Sequence, residues 1–469
     1  MNKFNDIDND RIVELLECDD IRRNQYLKRF LKILCYNGSN QIISLDGEWG
    51  SGKTTFIKKL EFVINYFSFY ENGEQISNHN YINNNIELSE SLIEKMEKLS
   101  QNGEYSEIKQ LVRDINVNAI YFNAWEHDDE IDPILSIIYT IINNFDLLAS
   151  TKKYDSGNFL DKVSSLINLL SLGTVNINSP IKERDLVQSI KLKEEIKLKL
   201  QEVLDDIITE NCQKLVIFVD ELDRCKPDYS ISLLERIRHY FNDERIVIVL
   251  TTNIKELINI INARYGNEFS SAKYLDKFID ERLFLPDIKL DNYLSTFKSN
   301  IREGDSTWSS IVITHFIKSN NLQMREITHY LECMRHFEKI AEVDPFENHL
   351  RIIYRLFIPF MVGLHITSPI KFNQFRSGDG FELLKEFVFS NKSIQTLCKR
   401  CFYSIEQDKD AALLQHDLKR YYELIFKQKD KNASIDIENY KVYKEAIPNI
   451  DDKISLLGDI AVFQENENS

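Results

Sequence analysis

The chain has 469 residues, a length that predicts two or three domains with ample material for a buried core. Its hydrophobic fraction of 43% and charged fraction of 28% are ordinary for a soluble globular protein. A formal net charge of −16 argues against broad, non-specific binding of nucleic acid over the whole surface, although a local basic groove stays compatible with it.

The cysteine content and the apolar runs indicate the compartment. Seven scattered cysteines, an odd number, are typical of a reduced cytosolic protein rather than of a disulfide framework. The start of the chain is acidic and polar and does not resemble a signal peptide. The longest apolar runs, residues 166–175 and 356–366, are interrupted and fall short of the ~18 residues that a membrane helix needs. We therefore expect a cytoplasmic protein without a transmembrane segment.

The first predicted elements are a helical lead-in and a short strand. Apolar residues recur at helical spacing over residues 11–35, and we take residues 1–40 as this lead-in. Ile42, Ile43 and Leu45 then form a short apolar strand, and a second helical pattern begins just after Thr54.

Between that strand and that helix lies a phosphate-binding motif, within ISLDGEWGSGKTT at residues 43–55. It satisfies G-x-x-x-x-G-K-[ST] at every fixed position, an order that a chance glycine-rich turn would not require. Its glycines allow successive backbone N–H groups to point at an anion, and the helix N-terminus adds to that field. Lys53 would reach the β- and γ-phosphates, and the Thr54 hydroxyl would hold Mg²⁺. The predicted nucleotide-binding residues are Gly47, Glu48, Trp49, Gly50, Ser51, Gly52, Lys53, Thr54 and Thr55.

Two insertions and a second strand come next. Residues 69–117 are rich in Asn, Glu and Ser and predict a partly helical insertion, which a second apolar strand and a helix from Pro133 follow. Residues 148–180 are interpreted as an irregular, Ser/Asn-rich excursion. Residues 183–210 predict a long amphipathic helix whose alternating charges indicate a solvated face rather than a nucleic-acid stripe. The second insertion therefore covers about 148–210.

The segment after the second strand carries four polar residues, Glu126 to Asp129. We interpret them as a solvated turn, with a role in lining the phosphate site as the alternative.

The third strand, in KLVIFVDELDRC, is almost entirely apolar before its acidic end, as in a strand buried on both faces of a parallel sheet. Asp220 and Glu221 stand at its carboxyl end, where the ligands of open α/β sheets collect. Asp220 would orient hydrated Mg²⁺ as a Walker B aspartate does, and Glu221 would polarise the attacking water. The alternative is that the paired acids only cap a loop.

A fourth strand, RIVIVLTTN at 245–253, completes a βαβ alternation. The predicted fold is therefore α/β, a doubly wound and mostly parallel P-loop NTPase sheet with helical insertions. Asn253 or Thr252 would occupy the sensor position between the γ-phosphate and water, with Asn253 as the catalytic candidate. A strand-end Asn that only initiates a turn is the alternative.

Charge that develops on the transferred phosphoryl group needs a cation beyond Lys53. Six arginines are eligible: Arg224, Arg236, Arg238, Arg264, Arg282 and Arg325. Arg325 begins a helix in the C-terminal half and suits a lid-borne sensor arginine, whereas the alternative for each arginine is a surface salt bridge. No N-K-x-D-like guanine motif is present, which favours ATP over GTP as the nucleotide that binds with Mg²⁺.

From about residue 290 onward the pattern is mostly helical. We therefore divide the rest of the chain into a P-loop NTPase core at 41–290 and an α-helical C-terminal module at 291–469. Cys398 and Cys401 form a lone C-x-x-C without a second pair for zinc, and we interpret them as neighbouring helix thiols. No triad, nuclease cluster or zinc-deaminase signature accompanies them, so a toxic effector activity would belong to another polypeptide.

The combined motifs resemble the KAP family of P-loop NTPases over about residues 15–335. The matching stretches are LDGEWGSGKTT, YFNAWEHDD, FVDELDRCKPD, KYLDKFIDERLFLP and MREITHYL. The resemblance implies an additional-strand ATPase core with a helical C-terminal module, and it assigns Lys53, Thr54, Asp220 and Glu221 the roles given above. Glu221 stands where the family usually has Asp.

The resemblance also carries expectations about biology. Many relatives have transmembrane helices between the P-loop and the acidic strand, where this chain has polar insertions, and bacterial relatives often serve in phage or plasmid defence. The favoured hypothesis is an ATP-hydrolysing switch or assembly ATPase that acts as a homo-oligomer, with a separately encoded effector, or both. The alternatives are a nucleotide-dependent scaffold with negligible turnover and a DNA-sensing ATPase, which the net charge disfavours.

Overall fold

The computed structural model describes most of the chain in two compact units, Met1–Ile288 and Lys289–Ser469. The described residues are 8–19, 23–36, 41–71, 74–75, 89–101, 103–130, 132–144, 156–175, 183–286, 306–340, 351–403, 410–427, 434–437 and 440–443. The predicted domain boundary at residue 290 lies outside them.

The first unit is built on a five-stranded parallel sheet. The seven described strands of this unit are β1 Gln41–Asp46, β2 Tyr70–Glu71, β3 Glu74–Gln75, β4 Val117–Asn123, β5 Lys214–Asp220, β6 Ile246–Thr252 and β7 Glu281–Phe284. Strands β2 and β3 form a separate antiparallel pair, and the others follow the order β4-β5-β6-β1-β7. The sequence predicts four of these five strands. Strand β7 is the exception, because its four residues alternate between half-buried and exposed at the sheet edge.

Eleven described helices belong to this unit. They are α1 Asn9–Cys18, α2 Asn24–Tyr36, α3 Lys53–Phe69, α4 Glu90–Ser100, α5 Gly103–Ile115, α6 Pro133–Asn144, α7 Ser156–Val175, α8 Glu183–Asn211, α9 Pro227–Tyr240, α10 Ile254–Tyr265 and α11 Ser271–Leu275.

Both faces of the sheet are covered, which confirms the doubly wound α/β fold. Along β6, Ile246, Ile248 and Leu250 join one hydrophobic cluster, with residues of α6, α9 and α10. Val247 and Val249 join another, with residues of α2 and α3. Because alternate side chains enter two apolar layers, the strand is apolar throughout rather than at every second position.

Strand β6 lies between β1 and β5 in the sheet. It separates the strand that precedes the phosphate-binding motif from the strand that ends in Asp220, which is the additional-strand arrangement implied by the resemblance. Since all these strands are parallel, their carboxyl ends meet at one edge of the sheet. The register there places Asp46 beside Thr252 and Asn123 beside Asp220.

Side chains of α3 satisfy the outer edge of β4, which pairs only with β5 among the described strands. Glu61 accepts the N–H of Tyr121 at 3.1 Å, and the Asn65 amide both donates to and accepts from the backbone of Ala119 at 2.9 Å. Ser68 donates to the carbonyl of Val117. Buried edge groups would otherwise stay unpaired, so one helix face replaces a neighbouring strand.

We expect Asn65→Ala to lower the free energy of unfolding by about 2–4 kcal/mol, since it leaves the N–H and C=O of Ala119 unpaired in a buried place. Urea denaturation followed by tryptophan fluorescence measures the change. Asn259→Ala is the matched control, because Asn259 is exposed and bonds only to Glu256 among the contacts described. Equal midpoints for the two variants would contradict the edge-covering role.

One predicted excursion is wrong in part. Within residues 148–180, the described stretch forms the regular helix α7, which packs against α8. Its buried residues are Phe159, Val163, Leu166 and Leu170, spaced four, three and four apart, and this helical spacing is diluted by Ser and Asn between them. Helix α8 is present as predicted.

The second unit is mainly helical, as the fold-class prediction states. Its described helices are α12 Ser306–Ser319, α13 Met324–Ile340, α14 Ile358–Thr367, α15 Pro369–Arg376, α16 Phe381–Phe389, α17 Lys392–Phe402 and α18 Ala411–Phe426, with a π-helical turn at Ile353–Phe357 and an antiparallel pair, β8 Ser434–Ile437 and β9 Tyr440–Tyr443. Cys398 and Cys401 are buried, free thiols on α17, and burial raises the pKa of the Cys401 thiol to about 11. No helix in the described ranges has the length and apolar character that a membrane crossing requires.

Candidate functional site

The phosphate loop, residues 47–52, connects β1 to α3. Gly50 and Gly52 have φ of 76° and 87°, in the left-handed region that residues with a Cβ rarely adopt. Gly47 packs closely against the rest of the loop. A Cβ at this position would lie 2.8 Å from the Ser51 hydroxyl oxygen, so a larger residue would not fit without a shift. That hydroxyl is buried and has no hydrogen-bond partner among the described residues. The loop thus forms a backbone cradle with an unused polar group, features suited to a phosphate chain.

Lys53 lies at the first turn of α3 and curls back over the loop. Its ammonium donates to the carbonyls of Gly47 at 2.6 Å and Glu48 at 3.0 Å. Burial lowers the pKa of Lys53, while the charges of nearby carboxylates raise it, Asp223 first and then Asp220. Phosphate oxygens would compete well for this ammonium, because hydrogen bonds between charged groups are stronger than those to neutral carbonyls.

Asp220 connects the two predicted halves of the site. The residue is only 2% exposed, and its carboxylate hydrogen-bonds with the Thr54 side chain of α3 and accepts from the Tyr121 hydroxyl at 3.2 Å. Burial raises the pKa of Asp220, and the bond to Thr54 opposes that shift. A hydroxyl and a carboxylate oxygen held together in this way are the hard ligands that Mg²⁺ prefers, so the donor set fits the metal.

Glu221 follows Asp220 in a left-handed backbone conformation, with φ of 60°. Its carboxylate is buried and forms an ion pair with the guanidinium of Arg224, three residues later. Burial is the first cause that raises the pKa of Glu221 to about 7, and the adjacent charge of Asp220 is the second. The group is therefore poised between its charged and neutral forms near neutral pH, which suits proton transfer.

Two half-exposed tryptophans flank the 3₁₀ turn Leu222–Arg224. The Trp49 indole N–H, from the phosphate loop, donates to the Asp223 carboxylate. The Arg224 guanidinium carbon lies 5.7 Å from the ring centre of Trp125. These contacts account for residue types that the generic phosphate-binding motif does not need, and no sequence pattern assigns a role to Asp223 or Trp125.

The sensor candidate Asn253 lies at the end of β6, next to the loop. It precedes α10, but its side chain does not cap that helix, so the turn-initiating alternative lacks its expected hydrogen bond. The carbonyl of its neighbour Thr252 accepts the N–H of Gly47 at 3.4 Å. The Thr252 hydroxyl is buried without a hydrogen-bond partner in the described part of the chain. The sensor role of Asn253 itself stays a prediction.

The six candidate arginines differ in the partners that they bind. Four bind carboxylates outside the site: Arg236 with Asp132, Arg238 with Asp280, Arg264 with Asp228 and Arg282 with Asp276. Arg325 is exposed on α13 of the second unit, and its catalytic role stays a prediction. Arg224 binds Glu221, a residue of the site.

Arg23 is a structural residue of the site that sequence reasoning did not identify. The residue is 3% exposed, and its guanidinium donates to the carbonyl of Ser51 at 2.7 Å and to that of Pro286 at 3.1 Å. It thus fastens the phosphate loop to the segment that follows β7. No local signal marks this arginine, because it lies in the helical lead-in, far from both partners in sequence.

The polar residues at 126–129 make contacts with neighbouring residues and with Lys226. Glu126 accepts from the amide of Asn123 at 2.7 Å, His127 lies 2.7 Å from Glu130, and Asp128 accepts the N–H of Lys226 at 3.1 Å. Within the described ranges, no group of three or more His, Cys, Asp or Glu side chains is placed to hold a metal ion.

One comparison with known proteins matches the part of the chain that contains this site. A family model described as the KAP family P-loop domain matches residues 23–362. No curated protein matches the chain. Among solved structures, the ORC2 protein of Aeropyrum pernix, in ADPNP and ADP complexes, is 13% identical with a TM-score of 0.34, over 96% of this chain and 95% of that one.

Proposed function

Since the chain belongs to the KAP family of P-loop domains, we propose that it binds ATP with Mg²⁺ and hydrolyses it. The observation that carries the proposal is the contact between Thr54, in the first turn after the phosphate loop, and Asp220, at the end of β5. The charge of the same carboxylate acts on Lys53 and raises its pKa, against the larger effect of burial. Groups separated by more than 160 positions would thereby form one anion-and-metal site.

Each residue has a role in binding. The loop amides and Lys53 would hold the β- and γ-phosphates, and Thr54 and Asp220 would hold Mg²⁺. The metal, when bound, withdraws charge from the phosphate oxygens. The absence of a guanine-reading motif supports ATP over GTP.

Hydrolysis then requires one proton transfer. Glu221 would polarise a water whose oxygen forms a bond to the γ-phosphorus, and the bond from that phosphorus to the bridging oxygen breaks. ADP leaves with the electron pair of that bond, and the water proton passes to the Glu221 carboxylate. The buried position of this carboxylate and its raised pKa support such a role.

The energy of this cycle would serve a nucleotide-dependent switch or assembly ATPase. Arg23 and Trp49 fasten the phosphate loop to separate segments of the first unit, which supports transmission of nucleotide binding beyond the site. The partner would be a second copy of this chain, a separately encoded effector, or both. A place in anti-phage or plasmid defence rests on family analogy alone.

A scaffold that binds ATP with negligible turnover is the second candidate. The ion pair between Glu221 and Arg224 favours it, because a carboxylate that stays neutralised by an arginine is a poor base. Tight ATP binding that shifts the gel-filtration profile without phosphate release would select this function.

Metal removal tests the proposed hydrolysis. We expect purified protein to release phosphate from ATP with Mg²⁺, and EDTA to reduce the rate to background because Asp220 and the phosphates would then repel each other. Restoring Mg²⁺ should restore the rate. Turnover that EDTA leaves unchanged would contradict the metal role of Thr54 and Asp220, and stimulation by DNA at low salt would favour the DNA-sensing alternative.

A further inference from the structure

The proposed site needs a cation beyond Lys53, for which Arg325 is the sequence candidate and Arg224 is the candidate within the first unit. When the γ-phosphoryl group is transferred, negative charge develops that Lys53 alone does not balance. An arginine commonly supplies the remaining positive charge in phosphoryl transfer. Four of the six candidates are committed to carboxylates elsewhere in the first unit, at N–O distances between 2.5 and 3.0 Å. Arg224 differs, because its partner is the proposed base.

The side chain of Arg224 can exchange partners while its backbone stays in place. The Leu222–Arg224 turn is closed by the bond from the Arg224 N–H to the Glu221 carbonyl at 3.0 Å, and the Ser230 hydroxyl donates to the Leu222 carbonyl at 3.0 Å. The Asp223 carboxylate accepts from Trp49, which fixes the turn to the phosphate loop. The Arg224 side chain, by contrast, is 27% exposed, and its guanidinium lies over the ring of Trp125.

The charged groups around Glu221 determine what an exchange of partners by Arg224 would change. Charged groups face it from three elements: Lys53 of α3, Asp220 of β5, and Asp223 and Arg224 of the turn. The Tyr121 hydroxyl of β4 also lies near. Arg224 is thus the cation next to Glu221 that does not also serve the phosphate loop.

We propose that Arg224 completes the site by exchanging Glu221 for the γ-phosphate of bound ATP. The assignment rests on the proposed function and extends it. One movement of the guanidinium neutralises the phosphate and frees the Glu221 carboxylate for the attacking water. ADP has no γ-phosphate and leaves the ion pair intact, so Arg224 also makes the site distinguish triphosphate from diphosphate.

Equilibrium binding tests the assignment without turnover. In a Glu221→Gln background, ATP and ADP dissociation constants are compared with and without Arg224→Ala. We expect Arg224→Ala to lower the preference for ATP over ADP about 10- to 100-fold. This is the change in affinity that the loss of one charged hydrogen bond to phosphate produces. In the wild-type background it should reduce kcat about 10²- to 10³-fold, with a smaller change in KM. Arg224→Lys should recover part of both.

The matched control is Arg11→Ala. Arg11 forms an ion pair of the same three-residue spacing with Glu14, at 2.8 Å, on an exposed helix surface. We expect it to leave the ATP-to-ADP ratio and kcat unchanged, and thermal melting verifies that each variant folds. If Arg224→Ala fails to fold, Arg224→Lys decides, because loss of the guanidinium geometry alone should then lower the ratio.

The outcomes separate the two proposals. An unchanged ATP-to-ADP ratio in the Glu221→Gln background means that Arg224 serves only to neutralise Glu221, and it overturns the assignment. A wild-type protein that binds ATP but releases no phosphate overturns the proposed hydrolysis, while the binding ratio still judges Arg224. A protein that binds no nucleotide overturns both.

Discussion

Lys53→Ala should abolish phosphate release by the purified protein, with kcat/KM lower by about 10³-fold or more. The reason is electrostatic. The charges of Asp223, Asp220, Glu221 and Asp46 all act on the Lys53 ammonium and raise its pKa, against the larger effect of burial. Without this ammonium, the site holds uncompensated negative charge that repels the triphosphate, in addition to losing the contact with the β- and γ-phosphates. ATP binding, measured by calorimetry, should weaken as strongly as turnover.

Lys32→Ala is the control for this variant. Lys32 is half-exposed and forms an ion pair with Glu107 at 3.1 Å on the surface, so its loss should leave both binding and turnover unchanged. Equal phosphate release by wild type and Lys53→Ala, at equal folded fraction, would show that any observed activity arises elsewhere.

Glu221→Gln should lower kcat about 10²- to 10⁴-fold and leave ATP bound. Glutamine keeps the size of the side chain but cannot accept the water proton. It also loses the charge that holds Arg224, so ATP affinity should rise rather than fall. Single-turnover phosphate release and equilibrium binding measure the two effects separately.

The exposed residue Glu14 supplies the comparison, since Glu14→Gln breaks an arginine pair of the same spacing away from the site. We expect wild-type kinetics for it. Wild-type kcat in Glu221→Gln would mean that another group polarises the water, and the role of Glu221 would then be restricted to its ion pair.

The parts of the site that could be predicted are those encoded by neighbouring residues. The phosphate-binding motif is eight consecutive residues, and the acidic strand reveals itself by an apolar run that ends in two carboxylates. The alternation of strands and helices then places both at one sheet edge. Such local patterns suffice for the fold class and for the expectation that Thr54 and Asp220 meet.

The remaining contacts depend on packing between segments that are distant in sequence. Arg23 reaches the carbonyl of Pro286, and Trp49 reaches Asp223, across more than 170 positions in each case. Tyr121 reaches Asp220 because alternate residues of β4 point to the face that α3 covers. No spacing rule along the chain predicts these contacts, because they form only when the folded sheet brings the distant segments together.

The α3 side chains along the outer edge of β4 also restrict how this protein can associate with others. Glu61 and Asn65 occupy the backbone groups that an incoming strand would need. Strand addition from a second copy or from an extended peptide would have to displace the helix that begins at Lys53. A strand bound at this edge would disrupt the phosphate loop. Because such coupling is reciprocal, bound nucleotide would in turn weaken the binding of that strand.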